Sequence, residues 1–163
     1  MGPRRLTRGG STVTRVARKA GLFRHENDVR DWVRHRAVAP TWVEPTVGST
    51  PGTPDVWVTE GDGAWIELKH GTVYGDGLVR FSVRTPQKRR IETLRENGAR
   101  VGLLVGFEDR LLLTCDPVVI NRGWAAAGAV NTIDAGEIRA WRWVIHRIGI
   151  ACETPWVRPS RKA

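Results

Sequence analysis

Apolar residues follow a helical period in three parts of the chain. In each part they recur at i, i+3 or i+4, which is typical of an amphipathic helix with one buried face. The first helix is predicted from about 25 to 36, and the second has Thr85 as its cap, Pro86 at its first position and Gly98 as its end. A third helix follows a capping box predicted at Asp134 and Glu137. The predicted buried stripes are Val29, Trp32 and Val33 in the first helix, Ile91 and Leu94 in the second, and Ile138, Trp141, Ile145 and Ile148 in the third.

Shorter apolar runs predict strands. The runs DVWV at 55–58 and AWIEL at 64–68 flank the turn sequence EGDG, and this pattern predicts a β-hairpin. The continuous apolar run at 100–107 predicts a central strand that is buried on both faces. Further strands are predicted at 41–47, 78–84 and 110–114, and a short helix at 11–21.

The hairpin brings charged residues together. In an antiparallel pair the start of the first strand lies beside the end of the second, so Asp55 is expected near Glu67 and Lys69. Alternation places Trp65, Glu67 and Lys69 on one face of the second strand. Asp55 shares that face if the numbers of facing residues sum to an even number, which requires a loop of odd length or a bulge.

Composition predicts one globular domain. The 163 residues are 40% hydrophobic and include eight tryptophans, which is enough for a sizeable core. No apolar run approaches the roughly 20 residues of a membrane-spanning helix, and the N-terminus lacks the apolar stretch of a secretion signal. A cytoplasmic protein is therefore expected. Two cysteines that form no Cys-x-x-Cys pair argue against a thiolate zinc site.

The positive charge is concentrated at the N-terminus. Residues 1–24 hold seven arginines and lysines and no acid, whereas the rest of the chain has 19 basic and 17 acidic residues. A basic arm on a nearly neutral body is typical of docking on a polyanion, with a solvated tail as the alternative.

Five polar residues are predicted to face inward or to converge: Glu26, Asp55, Glu67, Lys69 and Gln87. Because buried charge needs partners, a shared divalent cation would account for the set. Asp55, Glu67 and the carbonyl of Leu68 would be oxygen ligands for Mg²⁺, and Glu26 would hold a second ion or its hydration shell. Lys69 would orient a water or stabilise developing negative charge, and Gln87 would steer the water or the substrate. Each residue taken singly also has an ordinary explanation as a solvated strand or helix-start residue.

The order of these residues resembles the PD-(D/E)xK nuclease superfamily. The matching elements are Glu26 on a first helix, GTPD at 52–55, ELK at 67–69 and TPQ at 85–87. Within the superfamily the chain looks most like the stand-alone virus-type replication-repair nucleases (VRR-NUC), which are related to archaeal-type Holliday junction resolvases. The resemblance covers roughly residues 25–107.

The resemblance implies an α/β fold with a central mixed β-sheet flanked by helices, as in the restriction-endonuclease-like core. It also implies Mg²⁺- or Mn²⁺-dependent hydrolysis of DNA phosphodiester bonds, with no small-molecule cofactor, by a cytoplasmic protein of a prokaryotic or phage-infected cell. Its members often dimerise on branched DNA, so a homodimer acting on branched or replication-intermediate DNA is expected. The chain then divides into a basic arm at 1–24, a nuclease core at 25–114, and a C-terminal helical extension with a basic tail at 115–163.

Basic residues near the predicted site would contact DNA. Phosphate contacts of this kind give salt-dependent binding with little sequence preference. Solvated helix surfaces account for such residues equally well. The candidates are Arg80, Arg84, Lys88, Arg89 and Arg90.

Two other functions remain open on the sequence. A restriction-like or exonucleolytic DNase would use the same residues and would differ in its products. A non-catalytic DNA-binding module on the same fold would bind DNA without metal-dependent cleavage.

Overall fold

The computed structural model of the chain describes residues 21–37, 42–43, 51–59 and 63–153. Several sequence predictions lie outside these residues: the basic arm apart from 21–24, the helix at 11–21, the strand at 41–47 apart from 42–43, and the basic tail.

The described part of the chain forms nine strands and four helices. The strands are β1 (Trp42–Val43), β2 (Val56–Val58), β3 (Ala64–His70), β4 (Thr72–Val73), β5 (Leu78–Arg80), β6 (Val101–Phe107), β7 (Arg110–Thr114), β8 (Trp124–Ala126) and β9 (Thr132–Asp134). The helices are α1 (Glu26–Arg36), α2 (Thr85–Glu96), α3 (Pro117–Arg122) and α4 (Ala140–Glu153). None of the helices in these ranges is long and apolar enough to cross a membrane.

The larger sheet is mixed. Its strand order is β1-β2-β3-β6-β7-β9, with β3 and β6 parallel and the other neighbours antiparallel. Every residue of β6 is buried, which confirms the central strand predicted from the apolar run at 100–107. The predicted α/β class with a mixed sheet flanked by helices is confirmed.

Two hydrophobic clusters cover the two faces of this sheet. On one face, α1 and α4 pack against Ile66, Leu68 and Leu104. On the other face, α2 and the strand β5 pack against Leu103 and Val105. Because side chains alternate along β3, Glu67 and Lys69 leave the strand on the face opposite to Ile66 and Leu68.

A small sheet of order β4-β5-β8 interrupts the connection from β3 to α2. The sequence predicts a loop at 70–77 and a strand at 78–84, but two residues of that loop form β4 and the strand ends at Arg80. Gly71 explains the close approach of this sheet to the larger one, since a Cβ there would lie 2.5 Å from Val79 Cγ2 and 2.9 Å from Val105 Cγ1.

The described C-terminal part packs against the rest of the domain. The sequence predicts only a helical extension here, but β8 pairs with β5 and β9 pairs with β7. The capping box predicted at Asp134 and Glu137 is wrong, because Asp134 ends β9 and its Oδ1 accepts from the Gly136 N–H at 2.7 Å. A side chain used in a local turn is not available to cap a helix. The helix starts at Ala140, and Ile138 is 92% exposed before it. Among residues 140–149 of α4, the buried side chains are Ala140, Trp141, Val144 and Ile148, and Ile145 is partly buried against the same cluster.

Candidate active site

The register of the hairpin places Asp55 opposite Glu67. The facing pairs of β2 and β3 are Val56 with Ile66, Trp57 with Trp65 and Val58 with Ala64. The residue numbers of each facing pair add up to 122, which is even, so Asp55 meets the condition for sharing a face with Glu67. The loop of residues 59–63 has the odd length that this register requires. Continuing the register one step puts Asp55 and Glu67 on one face. The rings of Trp57 and Trp65 pack on that same face with centroids 4.9 Å apart.

The next step of the register explains why a proline precedes Asp55. It sets Pro54 opposite Leu68, and proline has no N–H to donate to the Leu68 carbonyl. The Leu68 N–H donates instead to Asp55 Oδ2 at 2.9 Å, so the carboxylate takes the place of a strand carbonyl. The N–H and C=O groups of one strand residue point toward the same neighbouring strand. The Leu68 carbonyl therefore faces the side of Asp55, where Pro54 has no N–H to donate to it.

Glu67 is the most enclosed acid of the site. Its side chain has no exposed surface, although a carboxylate is costly to bury without partners. Oε1 contacts Lys69 Nζ at 2.7 Å and also accepts from Gln87 Nε2. Oε2 is buried and has no hydrogen-bond partner within the part of the chain that the structure describes. One oxygen is therefore held by two donors while the other is left for a further ligand.

The two buried charges affect each other's titration. Burial and the nearby Asp55 carboxylate raise the pKa of Glu67 to about 7, against the opposing effect of Lys69. For Lys69, burial alone would lower the pKa, but Glu67 and Glu26 outweigh it and the pKa is raised. Lys69 is therefore a cation across the physiological range.

Glu26 reaches the site from the first turn of α1. Its Oε2 lies 3.0 Å from Lys69 Nζ, so this lysine is shared by two carboxylates. The side chain of Glu26 is 43% exposed, in contrast to the buried stripe of Val29 and Val33. The sequence placed Glu26 on the inward face, and the structure puts it at the rim, bonded to Lys69.

Gln87 joins the site from the first turn of α2. It is buried, as the helical stripe predicts, and its Oε1 accepts from the Arg84 N–H at 3.0 Å. This bond makes Arg84 the N-cap residue and Thr85 the first helical residue. The predicted cap at Thr85 is therefore wrong by one position, because Thr85 is already helical and Arg84 is the N-cap.

Arg30 also contacts the site, although it is not among the site residues predicted from the sequence. Its guanidinium donates to Asp55 Oδ1 at 2.7 Å, with both side chains partly buried. Arg30 lies one helical turn after Glu26, so two successive turns of α1 contact Lys69 and Asp55. The i, i+4 spacing from Glu26 is the signal that could have identified Arg30.

The donor set fits a small hard cation bound by few protein ligands. No three His, Cys, Asp or Glu side chains of the described residues are grouped so as to hold a metal ion. Continuing the register nevertheless sets Asp55 opposite Glu67, and Glu67 Oε2 is buried with no partner among the described residues. The Leu68 carbonyl faces the same side. Mg²⁺ keeps several waters and is commonly held by one or two carboxylates. The residues present therefore fit Mg²⁺ or Mn²⁺, with Glu26 engaged by Lys69 at the rim.

The predicted DNA-contacting residues do not share one face. Arg80 Nη2 lies 2.6 Å from Asp76 Oδ2, and Lys88 Nζ donates to the Asn121 carbonyl at 2.8 Å. Along α2, about 100° per residue sets Lys88 and Arg90 on opposite flanks of the buried stripe and Arg89 on the outer side. Arg84 and Arg89 are exposed, and Arg90 is partly buried.

No protein-family model, curated protein or solved structure matches this chain.

Proposed function

We propose that this chain is a metal-dependent nuclease that hydrolyses DNA phosphodiester bonds. The proposal is carried by the buried Glu67 carboxylate, whose Oε2 has no partner in the described parts of the chain while Lys69 and Gln87 hold Oε1. Such a group is costly in a structural core and useful as a cation ligand. The resemblance of the ordered residues to the PD-(D/E)xK superfamily supports the same reaction and the restriction-endonuclease-like core.

Three oxygen donors would hold the ion. They are the carboxylates of Asp55 and Glu67 and the backbone carbonyl of Leu68. When bound, Mg²⁺ or Mn²⁺ supplies Lewis-acid activation of the scissile phosphate and of water. Arg30 fixes Asp55 through Oδ1, and the Leu68 N–H fixes it through Oδ2, so this carboxylate is oriented before any ligand arrives.

Lys69 is the positively charged side chain of the proposed active site. Glu67 and Glu26 raise the pKa of the Lys69 ammonium, so it stays protonated. It can therefore stabilise negative charge that develops on a phosphoryl oxygen. Glu26 and Glu67 hold this ammonium from two sides and thereby restrict where its remaining proton can be donated.

Gln87 acts through Glu67. The Gln87 amide N–H donates to Glu67 Oε1, which leaves Glu67 Oε2 to bind the metal ion. The Gln87 Oε1 itself accepts from the Arg84 N–H at the start of α2. Gln87 is therefore a positioning residue. Glu26 has the same kind of role toward Lys69.

The substrate follows from the resemblance. We propose branched or replication-intermediate DNA, cut by a homodimer, since related nucleases often act in this way. The basic arm at 1–24 would add contacts with phosphates that do not depend on base sequence.

Cleavage of labelled DNA tests the proposal. Linear duplex, single-stranded, splayed-arm and four-way-junction DNA are incubated with the protein in Mg²⁺, Mn²⁺ or EDTA. Asp55→Asn is compared with Asp31→Asn, which makes the same change at an exposed residue of α1 that pairs with Arg34. We expect metal-dependent cleavage by the wild type and by Asp31→Asn, and none by Asp55→Asn.

Two outcomes would contradict the proposal. Binding of all four DNAs with no cleavage in either metal would leave a non-catalytic DNA-binding module. Equal cleavage by Asp55→Asn and the wild type would show that the active centre lies elsewhere. The DNA that is cut fastest identifies the substrate class, and products that depend on sequence or ends would indicate a restriction-like or exonucleolytic enzyme.

A further inference from the structure

The small sheet has one face against the core and one face outward. Val79 and Ala125 are buried in the cluster beneath it. Arg80 lies directly opposite Trp124 across β5 and β8, and opposite Thr72 across β4 and β5. Continuing the latter register sets Tyr74 beside Leu78, where the Tyr74 N–H donates to the Leu78 carbonyl at 3.0 Å. We call this outward side, with Thr72, Tyr74, Leu78, Arg80 and Trp124, the aromatic face.

Two aromatic rings of this face are exposed and each has an arginine stacked on it. Tyr74 is 50% exposed and Trp124 is 37% exposed. The Arg80 guanidinium carbon lies 4.5 Å from the Tyr74 ring centroid, and the Arg122 guanidinium carbon lies 3.7 Å from the Trp124 ring centroid. Arg122, Trp124, Arg80 and Tyr74 thus form a row in which cations and rings alternate.

The arginines of the row are held in place. Arg80 is fixed by Asp76, and Arg122 Nε donates to the Trp124 carbonyl at 2.8 Å. Each guanidinium plane is thus held over an exposed ring, in a cation–π contact that is favourable by about 0.5–1 kcal/mol at an exposed site.

We propose that the aromatic face binds unpaired bases of single-stranded DNA, an inference that rests on the proposed nuclease function and names the part of the substrate that it holds. Bases stack on aromatic rings and on guanidinium planes without regard to sequence. Arg122 carries positive charge for a phosphate chain, whereas the charge of Arg80 is balanced by Asp76. Tyr74 and Trp124 lie two strand spacings and two residues apart across β5, about 12 Å between their Cα atoms, so they would hold separate nucleotides.

The place of the face along the chain connects it with the candidate active site. β4 starts three residues after Lys69, and Gln87 follows seven residues after the end of β5. The chain therefore runs from Lys69 into β4, and from β5 to Gln87, through short segments. A single strand held here would extend from the branch point of a DNA whose phosphate chain passes the site.

Binding is measured in EDTA, so that cleavage plays no part. Fluorescence anisotropy of a labelled oligothymidylate compares the wild type with Trp124→Ala and Tyr74→Ala, and a blunt duplex serves as the second ligand. We expect affinity for the single strand to fall about tenfold in each variant and affinity for the duplex to stay unchanged. Trp124→Phe and Tyr74→Phe should retain most of the affinity, because a ring remains.

Matched controls separate stacking from general charge or hydrophobicity. Arg122→Gln is compared with Arg142→Gln, which removes the same charge from α4 on the opposite side of the larger sheet. Ile138→Ala removes an exposed apolar side chain outside the small sheet. Only Arg122→Gln should weaken binding of the single strand.

Photocrosslinking keeps the test decisive if an alanine variant does not fold. An oligonucleotide containing 5-iododeoxyuridine is crosslinked to the wild type, and the modified peptide is identified by mass spectrometry. Crosslinks at Tyr74 or Trp124 support the inference, and crosslinks confined to other peptides overturn it. Unchanged single-strand affinity of both folded alanine variants also overturns it.

The two proposals fail in different ways. If the wild type binds the single strand through Tyr74 and Trp124 but cuts no DNA in Mg²⁺ or Mn²⁺, the result contradicts the nuclease function and supports the binding face. If the wild type cleaves DNA with metal but its aromatic variants bind the single strand as tightly as the wild type does, the result contradicts the binding face and supports the nuclease function.

Discussion

Gly52 lies directly against Pro86, so the loop that precedes Asp55 touches the first turn of the helix that carries Gln87. A Cβ on Gly52 would lie 2.5 Å from the Pro86 carbonyl oxygen and 3.1 Å from the Gln87 backbone nitrogen. Gly52 also has φ +86°, a conformation that residues with a side chain rarely adopt. The GTPD and TPQ segments of the sequence are therefore one packed unit, and the spacing between Asp55 and Gln87 depends on this contact.

Replacing Gly52 by alanine should push the GTPD and TPQ segments apart. We expect Gly52→Ala to lower the free energy of unfolding by about 2–4 kcal/mol, because a strained φ and a collision with backbone atoms add. Gly98→Ala is the matched control, since Gly98 has φ +81° with nothing within 4 Å of its Cβ position. It should cost about 1 kcal/mol. Urea unfolding measures both, and equal costs would show that the contact with Pro86 contributes nothing.

Stability should fall with rising pH and respond to Mg²⁺. The pKa of Glu67 is raised from 4.5 to about 7, so between these values the folded protein keeps a proton that the unfolded chain has lost. The free energy of unfolding then decreases as pH rises through this window, by at most about 3 kcal/mol. Mg²⁺ competes with that proton and should raise Tm more at pH 8 than at pH 5.5.

Thermal unfolding across pH, with and without MgCl₂, measures this effect. Glu67→Gln should abolish both this pH slope and the response to Mg²⁺. Glu137→Gln, at an exposed acid, should change neither. A wild type whose Tm is insensitive to Mg²⁺ at pH 8 would argue against the cation site.

Lys69 should be needed for stability as well as for turnover. Lys69→Met leaves the buried Glu67 carboxylate facing Asp55 without its main counter-charge, and we expect a loss of about 3–5 kcal/mol. Combining it with Glu67→Gln removes the uncompensated charge, so the double variant should be more stable than Lys69→Met alone. Additive losses in this double-mutant cycle would show that the two residues act independently.

The N-terminal arm should contribute affinity for DNA but no chemistry. Deleting residues 2–21 removes six basic residues. The slope of log affinity against log salt should become shallower by about 0.9 for each phosphate contact that is lost. Metal dependence of cleavage should not change, and an unaltered salt slope would show that the arm does not contact DNA.

Much of the candidate site follows from local patterns in the sequence. Alternation sets Glu67 and Lys69 on one face of β3, and the helical period turns Gln87 inward beside Ile91. The even register that brings Asp55 to Glu67 could be stated as a condition but not decided, because it depends on the loop at 59–63. Local periodicity therefore identified the residues but not their contacts.

The rest depends on contacts between distant segments. The bond of Arg30 to Asp55 crosses 25 residues, and that of Lys88 to Asn121 crosses 33. β8 and β9 have three residues each, too few to show a period, and they exist because β5 and β7 offer free edges. Ile138 fits the helical period of α4 but lies in the turn that precedes it, because the Asp134 carboxylate closes a local turn.

The bond between the Leu68 amide and Asp55 has a spectroscopic consequence. Most strand amides donate to a backbone carbonyl, whereas this one donates to a carboxylate that is also a proposed cation ligand. The amide proton of a single residue in the middle of the domain therefore senses the charge and position of one side chain. In a ¹⁵N-labelled sample the Leu68 cross-peak would follow the occupancy of the site directly, in the absence of DNA and of any turnover.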